Sequence, residues 1–211
     1  MSAISQHIEA IRATLSEGVQ LVCVSKFHPV TAIKEAYDAG EKDFGESRVQ
    51  ELCAKQSELP ADIRWHFIGH LQTNKVRQIV PFVYLIHSVD SVRLLETINA
   101  EAAKINRIVN VLLEIHTANE TTKSGFLPQE LQTLDLDQYA NLNICGLMTM
   151  ATNTDDQEEI HRCFRLLKSL ADSDERFVIR SMGMSDDYLL AMQDGSNMIR
   201  IGTDIFGPRQ Y

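Results

Sequence analysis

The lysine at position 26 follows a run of β-branched and apolar residues, Leu21-Val22-Cys23-Val24, and precedes Pro29 by three positions. The run predicts a buried strand that carries an amine at its carboxyl end. Apolar surroundings disfavour the charged form of a lysine and free it to attack carbonyl compounds. Lys26 is therefore a candidate imine-forming residue. The alternative is a strand-end lysine whose ammonium group extends into water.

Two polar segments late in the chain have the composition of phosphate-binding loops, residues 181–187 and 200–203. Gly183 and Gly202 allow a ligand to approach the backbone closely, and Ser185 and Thr203 add hydroxyl donors. The alternative is ordinary turn chemistry in which Ser185 caps a helix. The two aspartates after Ser185 would have to point away from a bound phosphate, because like charges repel.

Helical and strand patterns alternate along the chain and indicate how these residues are positioned. The predicted strands cover residues 21–26, 42–44, 64–68, 83–87, 109–116, 142–147, 177–181 and 198–201. A helical pattern follows each of them, although after the last strand it is only the short stretch 204–206. Eight βα repeats predict an α/β fold, a single (β/α)8 TIM barrel forming one domain over residues 1–211. A six-stranded open α/β sheet is the alternative if the short strands at Lys42 and Met198 do not form.

Active sites of such barrels form at the carboxyl ends of the strands. The polar residues predicted there are Lys26, Glu46, His66, His70, His87, Ser88, Asp90, His116, Asn119, Thr149, Ser181, Ser185, Arg200, Gly202 and Thr203. His66 and His70 are four residues apart, but Gly69 at a strand end argues against helical metal-binding geometry, so no metal is expected. Lys123 is a second candidate amine, although a solvated loop is the favoured interpretation there.

The composition limits the classes of partner. The net charge of -9 argues against nucleic-acid binding, which needs a basic surface. The four cysteines form no Cys-x-x-Cys pair, and the N-terminus has neither a basic leader nor an apolar signal core. No apolar run reaches membrane-spanning length. We therefore expect a cytoplasmic protein that does not bind membranes and, because no long exposed apolar stripe is predicted, a monomer.

An imine-forming lysine, a phosphate-binding loop and an arginine on the last strand match the aldehyde, the phosphate and the ring nitrogen of pyridoxal 5'-phosphate (PLP). Several motifs add a family resemblance: Val24-Ser25-Lys26, Phe44-Gly45-Glu46, Trp65-His66-Phe67-Ile68-Gly69-His70-Leu71-Gln72, Lys123-Ser124-Gly125, Gly146-Leu147-Met148, Ser181-Met182-Gly183-Met184-Ser185-Asp186-Asp187 and Arg200-Ile201-Gly202-Thr203. In this order, over nearly the whole chain, they resemble the YggS/PROSC family of pyridoxal phosphate homeostasis proteins.

The resemblance implies a barrel like that of alanine racemase and a role for each cofactor-binding residue. It implies that Lys26 holds PLP as a Schiff base, that Ser185 and the backbone of Gly202 and Thr203 hold the phosphate, and that Arg200 faces the pyridine nitrogen. An arginine at that place keeps the nitrogen unprotonated, because two positive groups in contact repel. The ring is then a weaker electron sink.

The resemblance also implies a binder or carrier of PLP without an assigned catalytic residue. Racemases take a second acid/base group from an additional β domain and a partner subunit, whereas this sequence ends at Tyr211, soon after the last predicted strand. PLP-dependent apo-enzymes are the expected recipients. The alternatives are a weak amino-acid racemase and a Schiff-base aldolase that uses Lys26 directly on a sugar phosphate. Ser47 and His28 stand where many family members have asparagine and lysine.

Overall fold

The computed structural model describes residues 2–119 and 124–208 and forms a closed barrel of eight parallel strands. The strands are β1 (Gln20–Val24), β2 (Asp43–Glu46), β3 (Arg64–Phe67), β4 (Leu85–Val89), β5 (Val109–Glu114), β6 (Leu142–Met148), β7 (Ile179–Ser181) and β8 (Met198–Ile201). Each strand pairs with its neighbours in sequence, and β1 pairs with β8. The predicted barrel is confirmed. The six-stranded alternative is wrong, because both short strands form: β2 pairs with β1 and β3, and β8 with β7 and β1.

Helices alternate with the strands. They are α1 (Ala3–Arg12), α2 (Val30–Asp38), α3 (Val49–Glu58), α4 (Val76–Ile79), α5 (Val92–Lys104), α6 (Pro128–Leu131), α7 (Gln157–Ala171), α8 (Tyr188–Gln193) and α9 (Thr203–Phe206). Within the two described ranges, none of these helices has both the length and the apolar character that a membrane crossing requires.

Along β1, β5 and β8, successive apolar side chains alternate between two clusters, which decides the direction of the polar residues between them. The smaller cluster lies in the barrel interior and contains Val22, Leu85, Leu112, Met148 and Met198. The larger cluster joins the outer face of the barrel to the helices. On β8, Ile199 and Ile201 belong to the outer cluster and Met198 to the inner one. Arg200 therefore faces the interior of the barrel.

Candidate functional site

A cavity of about 200 Å³ lies at the carboxyl ends of β1 and β8. The residues that line it are Val24, Lys26, His28, Ile68, Met150, Met184, Ser185, Asp186, Arg200, Gly202 and Thr203. All five predicted cofactor-binding residues are in this set. The pairing of β1 with β8 explains the grouping, since it brings the first and last strands of the chain side by side.

The loop that carries Lys26 turns sharply after β1. The strand ends at Val24, earlier than predicted, and Phe27 has a positive φ of 68°, an uncommon conformation for a residue with a side chain. The Phe27 N–H donates to Glu51 Oε1 of α3 at 2.7 Å, and the His28 ring stacks on Phe206 with centroids 5.1 Å apart. These contacts fix the backbone on the carboxyl side of Lys26.

A buried ion cluster lies beneath this loop and was not foreseen from the sequence. Lys55 Nζ donates to the Ser25 carbonyl at 2.8 Å, to Glu46 Oε1 at 2.7 Å and to Glu51 Oε1 at 2.6 Å, and the Ser25 hydroxyl donates to Glu46 Oε1 at 2.7 Å. Burial raises the pKa of Glu46 to about 6, although the attraction of Lys55 opposes the shift. Glu46 was predicted at the active-site end of the barrel, but its side chain faces α3 and does not line the cavity.

Arg200 is 4% exposed and is anchored through both terminal nitrogens. Nη1 donates to the carbonyl of Ser181 at 2.8 Å and to its hydroxyl at 2.6 Å, and Nη2 donates to the Thr149 carbonyl at 3.0 Å. Burial lowers the pKa of Arg200 to about 10, while the charges of Asp187 and Glu114 oppose the shift. The guanidinium is therefore cationic at neutral pH and forms part of the cavity floor.

The backbone at Gly202 passes close to the neighbouring strand. A Cβ at this position would lie 3.2 Å from the carbonyl oxygen of Val24, which is tighter than an ordinary contact. Thr203 follows as the first residue of α9. This part of the cavity wall is consequently backbone without a side chain at Gly202.

The loop before α8 corrects two expectations from the sequence. Ser185 does not cap a helix, because α8 begins at Tyr188 with Asp187 at its N-cap position. Asp187 Oδ1 accepts a hydrogen bond from the Met184 N–H at 2.6 Å, so this carboxylate is directed into its own loop. Asp186, in contrast, lines the cavity, whereas the sequence interpretation required it to point away.

Two histidines predicted at the carboxyl ends of strands lie inside the barrel, where they belong to a chain of hydrogen bonds that we call the interior relay. Its members are Asp43, His66, His87 and Ser181, all buried. His66 Nε2 lies 2.9 Å from Asp43 Oδ1, His66 Nδ1 lies 2.9 Å from His87 Nε2, and His87 Nδ1 lies 2.9 Å from the Ser181 hydroxyl. Strand periodicity predicts the inward direction of such side chains, but not that they meet.

Other predicted residues lie apart from the cavity. His70 pairs with Asp90 at 3.1 Å, His116 lines a separate small pocket, and Asn119 donates to Glu159. Lys123 is outside the residues that the structure describes. Across residues 2–119 and 124–208, no group of three or more His, Cys, Asp or Glu side chains is arranged to hold a metal ion.

Residues 1–210 match the family model of the alanine racemase N-terminal domain. The pyridoxal phosphate homeostasis protein of Aquifex aeolicus is 39% identical over 91% of this chain and 88% of its own length. The protein of the same name from Pseudomonas aeruginosa is 37% identical over 100% of this chain and 98% of its own length.

Solved structures give the same result. PipY of Synechococcus elongatus, solved without PLP, superposes with a TM-score of 0.91 at 38% identity, covering 97% of this chain and 100% of PipY. PipY with PLP bound gives a TM-score of 0.88 at the same identity and the same coverage of both chains. An alanine racemase of Clostridium difficile shares the fold, with a TM-score of 0.83 at 14% identity over 99% of this chain and 57% of the racemase. The chain therefore belongs to the family of pyridoxal phosphate homeostasis proteins, built on the alanine racemase N-terminal domain.

Proposed function

We propose that this chain binds PLP in the cavity at the carboxyl ends of β1 and β8 and acts in the intracellular homeostasis of this cofactor. The observation that carries the proposal is the meeting of a lysine, Lys26, and a buried arginine, Arg200, at one cavity whose wall includes two hydroxyl-bearing residues, Ser185 and Thr203. A primary amine suits an aldehyde, hydroxyl and backbone donors suit a phosphate, and a guanidinium suits an acceptor nitrogen.

Each part of the cofactor has a partner in this arrangement. Lys26 Nζ would hold the aldehyde by condensing with it to a Schiff base, with release of one water. The Ser185 hydroxyl and the backbone N–H groups of Gly202 and Thr203, which line the same cavity, would bind the phosphate. Arg200 would donate to the ring nitrogen and, as a cation, would keep it unprotonated.

The same residues favour retention of the cofactor and disfavour catalytic turnover of a substrate. When bound, PLP supplies an electron-accepting ring, and that capacity is weakened if the ring nitrogen carries no proton. The relatives support this role: the two curated proteins are named pyridoxal phosphate homeostasis proteins, and PipY has been solved with PLP bound.

We also propose that the protein acts as a cytoplasmic monomer that releases PLP to PLP-dependent apo-enzymes, without nucleic-acid or membrane partners. The net charge of -9 supports the absence of a nucleic-acid partner. Sedimentation of the loaded protein tests the monomer, and a mass twice that of the chain would contradict it.

An absorption spectrum of the purified protein, taken before and after borohydride reduction, tests the Schiff base. We expect a yellow band that reduction removes, together with a pyridoxyl adduct on the Lys26 peptide in mass spectrometry. Lys26→Ala should lack both. Lys34→Ala, which removes an exposed lysine on α2, is the matched control and should retain both. A wild-type protein that stays colourless and takes up no added PLP would contradict the proposal.

Release of the cofactor is tested with a PLP-dependent apo-enzyme. We expect the loaded protein to restore the activity of the apo-enzyme, whereas the borohydride-reduced protein, in which PLP is fixed to the chain, should not. A loaded protein that restores no activity, in an assay where free PLP does, would contradict the carrier role but not the binding of PLP.

A further inference from the structure

The interior relay joins the solvent at one end of the barrel to the cavity at the other. At the amino ends of β2 and β3, Arg64 donates to Asp43 through Nε, at 2.7 Å, and through Nη2. The Arg64 side chain is 44% exposed, whereas every member of the relay is buried. At the cavity end, the Ser181 hydroxyl accepts a hydrogen bond from Arg200. Two cationic groups thus flank a line of buried side chains.

The charge state of the relay follows from its surroundings. Burial acts to raise the pKa of Asp43, but the hydrogen bonds from Arg64 and His66 outweigh it and hold the pKa well below its ordinary value. Burial lowers the pKa of His66, against the hydrogen bond to Asp43, and lowers the pKa of His87, where the charges of His66 and Arg200 add to the effect. Near pH 7 the relay therefore contains one carboxylate and two neutral rings.

These charge states permit only one direction of donation. An ionised carboxylate only accepts, so His66 Nε2 carries the hydrogen and donates to Asp43. The other nitrogen of a neutral ring accepts, so His66 Nδ1 receives the Nε2 hydrogen of His87. His87 Nδ1 then accepts the hydroxyl hydrogen of Ser181. The Ser181 oxygen is left to accept from Arg200 Nη1, and a guanidinium can only donate.

We propose that Ser181, His87 and His66 are positioning residues for Arg200, whose guanidinium they hold in one orientation toward the ligand. The inference rests on the proposed PLP site. Nη1 and Nη2 of Arg200 already donate to Ser181 and to the Thr149 carbonyl, so only the remaining N–H groups can face the cavity. Because a guanidinium only donates, the ligand atom that meets Arg200 must be an acceptor, as an unprotonated ring nitrogen of the proposed PLP would be.

Long-range proton–nitrogen NMR of the ligand-free protein tests the direction of the relay without any PLP. We expect both His66 and His87 to be neutral near pH 7 with the hydrogen on Nε2, and the signals are assigned by their loss in His66→Gln and His87→Gln. A hydrogen on Nδ1 of either ring, or a positively charged ring at that pH, would overturn the proposal.

Ser181→Ala tests the effect on the ligand, since it removes the link between His87 and Arg200. We expect PLP to bind about tenfold more weakly, the effect of losing one hydrogen bond to a charged group, and the absorption maximum of the bound cofactor to shift. Ser88→Ala is the matched control: its hydroxyl is equally buried but donates to the Gly69 carbonyl, outside the relay, so affinity and spectrum should match wild type.

Wild-type affinity and an unchanged spectrum in folded Ser181→Ala would overturn the positioning role. If wild-type protein takes up no PLP, the proposed function fails, while the tautomers of the two rings still decide whether the relay runs in the inferred direction. If Ser181→Ala does not fold, the wild-type NMR spectrum remains the deciding measurement.

Discussion

Replacing Lys55 by methionine tests whether the buried ion cluster beneath the Lys26 loop stabilises the barrel. Lys55 is the single cation of this cluster and contacts Glu46, Glu51 and the Ser25 carbonyl. The side chains of Lys55 and Glu46 are 7% and 0% exposed. Methionine has a similar length and removes the charge, so the substitution leaves Glu46 buried without its counter-ion.

The magnitude follows from the geometry. At the observed 2.7 Å, and with an effective dielectric constant of about 20, the attraction between Lys55 and Glu46 is about 6 kcal/mol. Removing one partner of a buried ion pair typically costs about 3–5 kcal/mol, because the remaining charge stays desolvated. Glu46 Oε2 has no hydrogen-bond partner in the described part of the chain, so the substitution leaves the carboxylate with the neutral Ser25 hydroxyl on Oε1 and no cation. We expect Lys55→Met to lose about 3–5 kcal/mol of unfolding free energy near pH 8.

The loss should also depend on pH. Burial already raises the pKa of Glu46 to about 6 with Lys55 present, and removing the cation raises it further. A carboxyl group whose folded pKa exceeds its unfolded pKa destabilises the protein progressively as pH rises from the unfolded value to the folded one. The difference between variant and wild type should therefore be smaller near pH 5, where Glu46 takes up a proton.

Urea unfolding at both pH values, followed by the fluorescence of the buried Trp65, measures this difference. Lys34→Met is the matched control. Lys34 pairs with Asp38 one helical turn away, as Lys55 does with Glu51, but the side chains of Lys34 and Asp38 are both about 60% exposed. Lys34→Met should therefore lower the free energy of unfolding by less than about 0.5 kcal/mol. A loss below about 1 kcal/mol at pH 8, or an equal loss at both pH values, would refute the reasoning. Adding Glu46→Gln to Lys55→Met should recover part of the loss.

Three further predictions concern the barrel and the cavity. Gly183→Ala should lower the free energy of unfolding by about 1–3 kcal/mol in urea titrations, because φ is 99° and the new Cβ would lie 2.7 Å from the Ala191 Cβ; unchanged stability would contradict the geometry. The folded pKa of Asp43 is depressed, so Asp43 stabilises the protein above its unfolded pKa of about 4, and this contribution is lost as the pH falls further. In Asp43→Asn, the free energy of unfolding measured against pH should therefore fall less steeply below pH 4 than in wild type. Arg200→Lys should lower the free energy of unfolding by about 2 kcal/mol in thermal denaturation, since an ammonium group cannot make the same planar set of hydrogen bonds. A variant as stable as wild type would show that these bonds do not stabilise the fold.

The barrel and the grouping of the cavity residues were accessible from the sequence for topological reasons. Strands buried on both faces read as nearly continuous apolar runs, and Val109–Glu114 is the clearest example. Once eight βα repeats are recognised, the first and last strands must be neighbours, so Lys26 and Arg200 must lie close together. No geometry beyond the closure of the sheet is needed for that step.

The environment of these two residues was not accessible, because it depends on side chains from distant elements. Lys55 lies on a helix among polar residues, and a lysine in such a pattern is normally solvated. Its burial follows from the position of Glu46 on β2, which periodicity does not reveal. In the same way, the sequence predicts His66 and His87 as two strand-end histidines, and only the register of β3 against β4 brings their ring nitrogens within hydrogen-bond distance.

If the chain binds PLP as proposed, cofactor loading also depends on the insertion of β8 into the sheet. A chain that emerges from the ribosome acquires Asp43, His66 and His87 early, whereas Arg200 arrives with the last strand. Until β8 inserts between β7 and β1, the sheet is open and Arg200 is missing from the site. The interior relay then has no cation at its cavity end, and the cavity lacks part of its floor. If the chain binds PLP as proposed, a barrel that lacks β8 should not retain the ligand. Occupancy by a coloured cofactor would then report that translation has passed β8 and that this strand has closed the sheet.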